Sequence, residues 1–172
     1  KYLYNYVKKY EEDKKVPKHH LKFGSYIHRI FELGYEKSSK DELLEIADSI
    51  KENYSFKQKI EEDKVQACVD NFLKFNKNLE ETVGTELEFL IEVRKGIKFN
   101  GIIDRIVKSP NGNYLIIDYK TSKKALTKLE IYQNPQLKSY TYAVSKIFNV
   151  PVNKIIASHF YPITGKFVHC QY

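Results

Sequence analysis

Residues 101–107 (GIIDRIV) and 114–120 (YLIIDYK) are two short apolar runs separated by a turn, and each carries one aspartate. Side chains alternate along a strand, so Ile102 and Ile106 are expected on one face and Ile103 and Val107 on the other. Ile116 is likewise set against Leu115 and Ile117. A strand that is apolar on both faces is covered on both sides, which puts these two in the middle of a sheet with helices above and below. Asp118 and Lys120 then stand where such a strand ends, a place where charge is seldom found unless something binds it, and Asp104 is embedded in the other apolar run. Asp118 and Lys120, two residues apart, share a face.

The rest of the chain supplies the covering layers. Residues 1–10 place Leu3, Tyr6, Val7 and Tyr10 at helical spacing, and a charged loop follows over 11–18. A helix is expected from Phe23 with Ser25 as its cap, carrying Ile27, Ile30 and Phe31 inward. Taken alone, its His28 is a core or boundary histidine. Ser39 and Glu42 resemble a capping box opening a helix to about Lys51, and a third helix is expected from Ser55 to Glu81, with Cys68 on its apolar stripe. From Thr85 the period becomes two. Strands are expected over 86–94, 97–108 and 114–121, joined by turns at Lys95-Gly96 and at 109–113. A long helix over 126–149, interrupted before Pro135, leads to a strand over 154–161 that is expected parallel to the third, because a helical crossover reaches it. A short last strand ends near Tyr172. The expected fold is α/β: a central mixed sheet of about five strands flanked by helices on both faces. It forms one domain over 1–172, helical over about 1–82 and with its core over about 85–172.

Asp104 and Asp118 can hold one cation only if they project from the same face. A two-residue Asn111-Gly112 turn pairs Pro110 with Asn113 and so places Asp104 opposite Tyr119, on the wrong face. A loop of three or five residues places Asp104 opposite Asp118. An odd loop, or a bulge near Asp104, is therefore expected despite the Asn-Gly signal. Two carboxylates about 5 Å apart repel unless a cation lies between them. Oxygen ligands of this kind select Mg²⁺ or Mn²⁺. Lys120 then stands ready to hold a water or offset charge on a phosphate. The competing reading is a buried salt bridge between Lys120 and one or both acids.

Composition narrows the setting. The 29 Lys+Arg against 22 Asp+Glu give a net charge of +7, which suits a polyanionic partner or, equally, a lysine-rich solvated surface. Cys68 and Cys170 are the only cysteines and have no paired spacing, against a zinc ribbon or disulfide framework and in favour of a reducing, intracellular compartment. No apolar run approaches the roughly 18 residues of a membrane span, so no membrane partner is expected. The chain has no Met, even at position 1, and its start is expected to be trimmed, disordered or cut from a longer chain.

Four motifs in order, Gly24-x-x-x-His28, Gly101-x-Ile103-Asp104-Arg105, Asp118-Tyr119-Lys120-Thr121 and Gln136-x-x-x-Tyr140, resemble the RecB-type branch of the PD-(D/E)xK nuclease superfamily. Residues 1–7 look like the helix that opens such domains, so the resemblance spans nearly the whole chain. It implies a restriction-endonuclease-like core and Mg²⁺- or Mn²⁺-dependent hydrolysis of DNA, single- or double-stranded. That activity would be exonucleolytic and serve repair, recombination or replication, within a larger helicase–nuclease chain or complex. By the resemblance Asp104, Asp118, the Tyr119 carbonyl and His28 are metal ligands. Lys120 is the catalytic lysine, and Gln136 and Tyr140 contact substrate phosphate or orient Lys120. An upstream glutamate often completes such sites; Glu86 and Glu88 share a strand face, and both stay open. Some members, AddB-type and CRISPR-associated, hold an iron–sulfur cluster on four cysteines; two cannot do so, and no cluster is expected. Arg105, on the face opposite Asp104, is expected in a structural salt bridge. His19, His20, His159 and His169 fit no motif and are read as surface or packing residues. Lys22, Lys123, Lys124, Lys128 and Lys138 suggest a phosphate-tracking rim, or ordinary solvated lysines. Two alternatives stand beside the deoxyribonuclease: a non-cleaving DNA-binding module of the same fold, and an RNA endonuclease.

Overall fold

A computed structural model of the chain describes residues 19–54 and 62–172, with side chains of the first stretch described from Phe23 onward. The helix expected over 1–10, the loop over 11–18 and the start of the helix expected from Ser55 lie outside the described residues.

Five strands, β1 (Glu81–Arg94), β2 (Ile97–Lys108), β3 (Tyr114–Tyr119), β4 (Ile155–Tyr161) and β5 (Lys166–Gln171), form one sheet in chain order. Only β3 and β4 pair in parallel, joined by the expected helical crossover; the other neighbours are antiparallel. Three helices, α1 (His19–Gly34), α2 (Lys40–Lys51) and α3 (Glu62–Asn76), pack on one face around Val107, Ile117, Tyr119 and Phe160. Phe31 of α1 stacks on Phe72 of α3 with centroids 4.0 Å apart, and Tyr119 meets Phe31 edge-on. Two further helices, α4 (Lys128–Gln133) and α5 (Pro135–Phe148), cover Ile106, Ile116, Ile155 and Ala157 on the other face.

Several boundaries differ from expectation, each for a local reason. α1 starts at His19, so Ser25 lies inside the helix and does not cap it. Gly24, which reads as a breaker, is there for close approach: a Cβ on it would sit 3.2 Å from Thr121 Oγ1. α3 ends at Asn76, and β1 begins already at Glu81, carrying Gly84 within it. The long helix is two helices. Asn134 ends α4 and caps α5, accepting the Leu137 N–H at 3.1 Å, and Pro135 takes the first helical position, where no N–H is needed.

The loop between β2 and β3 spans 109–113, with Gly112 at φ 80°, and its five residues close with the odd register that the shared face demands. Arg105 pairs with Ile117 and Lys108 with Tyr114, so the next step along both strands sets Asp104 against Asp118. The faces of β2 are not those of simple alternation. Ile103 and Ile106 are buried in the same cluster, against α4 and α5, while Val107 faces the helices opposite and Ile102 is exposed. The switch falls between the pairs Thr85↔Arg105 and Leu87↔Ile103, at Glu86 and Asp104. Glu86 has φ 46°, a left-handed conformation that costs a non-glycine residue about 1–3 kcal/mol and turns the strand.

Candidate active site

The strained turn and the hairpin end bring acids from β1, β2 and β3 to one place, and α1 closes it. With Gly24 seated on Thr121, His28 one turn later reaches over the end of β3. Its Nε2–H donates to the Tyr119 carbonyl (2.8 Å), and its Nδ1 lies 3.5 Å from Asp104 Oδ2. The same Asp104 oxygen accepts the Tyr119 N–H at 2.7 Å. His28, Glu86 and Asp104 each offer one ligand atom within 4.8 Å of the others. Glu88, opposite the exposed Ile102, takes no part in this group.

Asp118 is buried and turned differently. Its Oδ2 lies 2.7 Å from Lys120 Nζ and 3.3 Å from His159 Nε2. Lys120 also donates to Gln136 Oε1 (3.1 Å), and Gln136 Nε2 donates to the Tyr140 hydroxyl (2.8 Å). Gln136 and Tyr140, one helical turn apart on α5, thus act on Lys120 as a relay. Lys120 pairs with Asp118, as in the salt-bridge reading, while Asp104 lies in the group with His28 and Glu86.

Charge is in excess here. Burial pushes the Glu86 carboxyl up to about 7, and the neighbouring Asp104 adds to it, against relief from His28. Burial and Asp104 likewise raise Asp118 to about 6, opposed by Lys120 and His28. Burial alone would lower the His28 pKa, but Asp104, Asp118 and the Tyr119 carbonyl outweigh it and hold the ring above its ordinary value. The buried Asp118 Oδ2 has the Lys120 ammonium as its one close polar partner among the described residues. Crowded carboxylates, two of them with raised pKa values, and one imidazole suit a hard divalent cation.

One sequence expectation is corrected and one is narrowed to packing. Arg105 faces away from Asp104 as expected, but makes no salt bridge among the described residues: it donates to Thr82 Oγ1 and Asn76 Oδ1 and lies over the Tyr35 ring. His159, read as a surface or packing residue, is 1% exposed and faces Asp118 across the parallel β3–β4 pair. No motif marks it; only the pairing of Asp118 with His159 does. His169 is exposed, as are Lys123, Lys124, Lys128 and Lys138; the side chains of His19, His20 and Lys22 lie outside the description. Cys68 is buried on α3, as expected, and burial pushes its thiol up to about 12. No helix among the described residues is long and apolar enough to cross a membrane.

A mixed sheet with helices on both faces, an acid on one central strand and Asp-x-Lys on the next, is the core arrangement of one class of nuclease. The PD-(D/E)XK nuclease superfamily profile matches residues 1–166, and the chain belongs to that superfamily. It is 29% identical over 163 residues, covering 85% of the chain, to a subunit of the ATP-dependent helicase/deoxyribonuclease of Streptococcus agalactiae. The corresponding subunit from Streptococcus pyogenes is 26% identical over 152 residues, 78% of the chain. The chain spans 15% and 14% of these relatives' lengths. Both findings agree with the RecB-type resemblance of the motifs.

Proposed function

We propose that the chain is the nuclease segment of a deoxyribonuclease that hydrolyses DNA phosphodiester bonds with Mg²⁺ or Mn²⁺, working from strand ends. The observation that supports this best is the relay Asp118–Lys120–Gln136–Tyr140 set beside His28, Glu86 and Asp104. In this reading His28, Asp104, Asp118 and the Tyr119 carbonyl hold the cation, and Glu86 rather than Glu88 completes the site. A divalent ion so held supplies Lewis-acid polarisation of the phosphate and a more acidic water. Gln136, anchored by Tyr140, keeps the Lys120 ammonium at the rim of the site, where it positions a water and offsets charge growing on the phosphate. Lys123 and Lys124, exposed between β3 and α4, and Lys128, exposed at the start of α4, lead the strand in. The names of the relatives support a place beside a helicase in a larger chain or complex.

The test is digestion of end-labelled single- and double-stranded DNA, circular DNA and RNA, with Mg²⁺ or Mn²⁺ and with chelator. Asp118→Ala and Lys120→Ala are each expected to lose about a hundred- to a thousand-fold in rate. Undiminished cleavage in either variant overturns the assignment, cutting of circles overturns action from ends, and cleavage of RNA alone overturns the substrate.

A further inference from the structure

His159 lies outside all four motifs, yet its ring is buried against Asp118. The two facing atoms, His159 Nε2 and Asp118 Oδ2, lie 3.3 Å apart without a completed hydrogen bond between them, and apart from the Lys120 ammonium near Asp118 neither has a partner among the described residues. The opposite side of the ring is anchored: Nδ1 lies 3.2 Å from the Tyr161 hydroxyl, which itself accepts the Leu126 N–H at 3.0 Å. A tyrosine hydroxyl has one proton. With its oxygen accepting from Leu126, that proton is free for Nδ1, and the neutral imidazole then carries its own proton on Nε2, the nitrogen 3.3 Å from Asp118 Oδ2.

We propose that His159 is a positioning residue that pins Asp118 Oδ2 through its Nε2–H, so that the other carboxylate oxygen is presented to the divalent ion. The inference rests on the metal-dependent reading above. It explains a demand of the site: Lys120 also holds Asp118 Oδ2, but a lysine that turns to a water or a phosphate releases that oxygen. His159, fixed by β4 and by Tyr161, does not move with it. A ring with its proton on Nε2 has no lone pair there, so His159 orients a ligand and does not serve as one. Groups that hydrogen-bond a ligating carboxylate typically contribute about 10–100-fold in metal affinity.

The experiment is calorimetric titration of the protein with Mn²⁺ in the absence of DNA, with folding checked by circular dichroism, followed by DNA cleavage at low and saturating Mn²⁺. His159→Leu is expected to bind Mn²⁺ about 10–100-fold more weakly. Its kcat should fall at low Mn²⁺ and recover at saturation, with KM for DNA unchanged. His159→Gln, which keeps an N–H donor near the Nε2 position, is expected to stay within about threefold of the parent; Tyr161→Phe, which frees the ring to take the other tautomer, is expected to lose about tenfold. Parent affinity in a folded His159→Leu overturns the proposal, as does a His159→Gln as weak as His159→Leu, which would make the imidazole a ligand. If His159→Leu does not fold, parent affinity in Tyr161→Phe overturns it instead. A parent protein that binds no Mn²⁺ overturns the metal reading itself, and this inference with it.

Discussion

Glu86 combines a left-handed backbone with a carboxyl pushed up to about 7, and the two have one origin. The turn that strains its backbone also carries the side chain to Asp104, where burial and a like charge disfavour ionisation. At pH 5.5 Glu86 and part of Asp118 hold protons, and so does His28, whose pKa is raised. Those protons compete with a cation. As pH climbs through about 6 and about 7 the acids ionise; without metal that ionisation costs stability, because it falls above their ordinary pKa, and with metal it creates the ligands. The Mn²⁺-induced rise in melting temperature is therefore expected to be larger at pH 8 than at pH 5.5, at about 2–4 °C per kcal/mol of binding for a chain of this size. Glu86→Gln should reduce the rise at pH 8 and flatten its pH dependence. Equal rises at the two pH values in the parent protein, read by scanning fluorimetry, would count against these ligands.

At the scale of elements, the antiparallel hairpin β2–β3 and the helix α5 set the site's dimensions. Gly101 is the point where they touch: a Cβ there would lie 3.0 Å from the Phe89 ring and 3.3 Å from Tyr140 Cε1. Both neighbours are rings, and Phe89 meets Tyr140 edge-on with centroids 5.8 Å apart, so neither can yield without moving the other. Gly101→Ala is expected to cost about 1–3 kcal/mol of stability in urea unfolding. It should also lower cleavage, because Tyr140 anchors Gln136 and Gln136 holds Lys120. A variant with parent stability and parent rate would mean that α5 is less tightly coupled to the sheet than these contacts imply. The odd loop over 109–113 was legible in advance because only that parity lets two aspartates share a site. The split of the long helix at Asn134 was legible from Pro135. The joint turn of β1 and β2 at Glu86 was not, since glutamate in a strand carries no sign of a positive φ.

At the scale of the whole molecule, the site lies between layers: His28 comes from the helices of one face, Gln136 and Tyr140 from the other, and the acids from the sheet between. The net charge of +7 and the exposed lysines between β3 and α4 would give the proposed DNA binding a strong electrostatic share. If about three lysines neutralise phosphates, KM for single-stranded DNA should rise about 20-fold between 50 and 200 mM salt, with kcat held. Initial rates across that range decide it; a KM indifferent to salt would mean that these lysines are solvated surface and no more.

Some of this was determined by the sequence alone. Alternating apolar residues named the central strands, two aspartates demanded an odd loop, and the ordered motifs marked His28, Asp104, Asp118, Lys120, Gln136 and Tyr140, because period and spacing are local properties that a chain carries unfolded. Tertiary structure alone decided the rest. It set Glu86, and not Glu88, beside His28 and Asp104 through a backbone turn that no side chain announces. It gave Arg105 neutral partners from β1 and α3, and it laid His159 against Asp118 through a parallel strand pairing. Each of those outcomes depends on which distant segments come to lie side by side, and strand pairing sets that only once the sheet has formed.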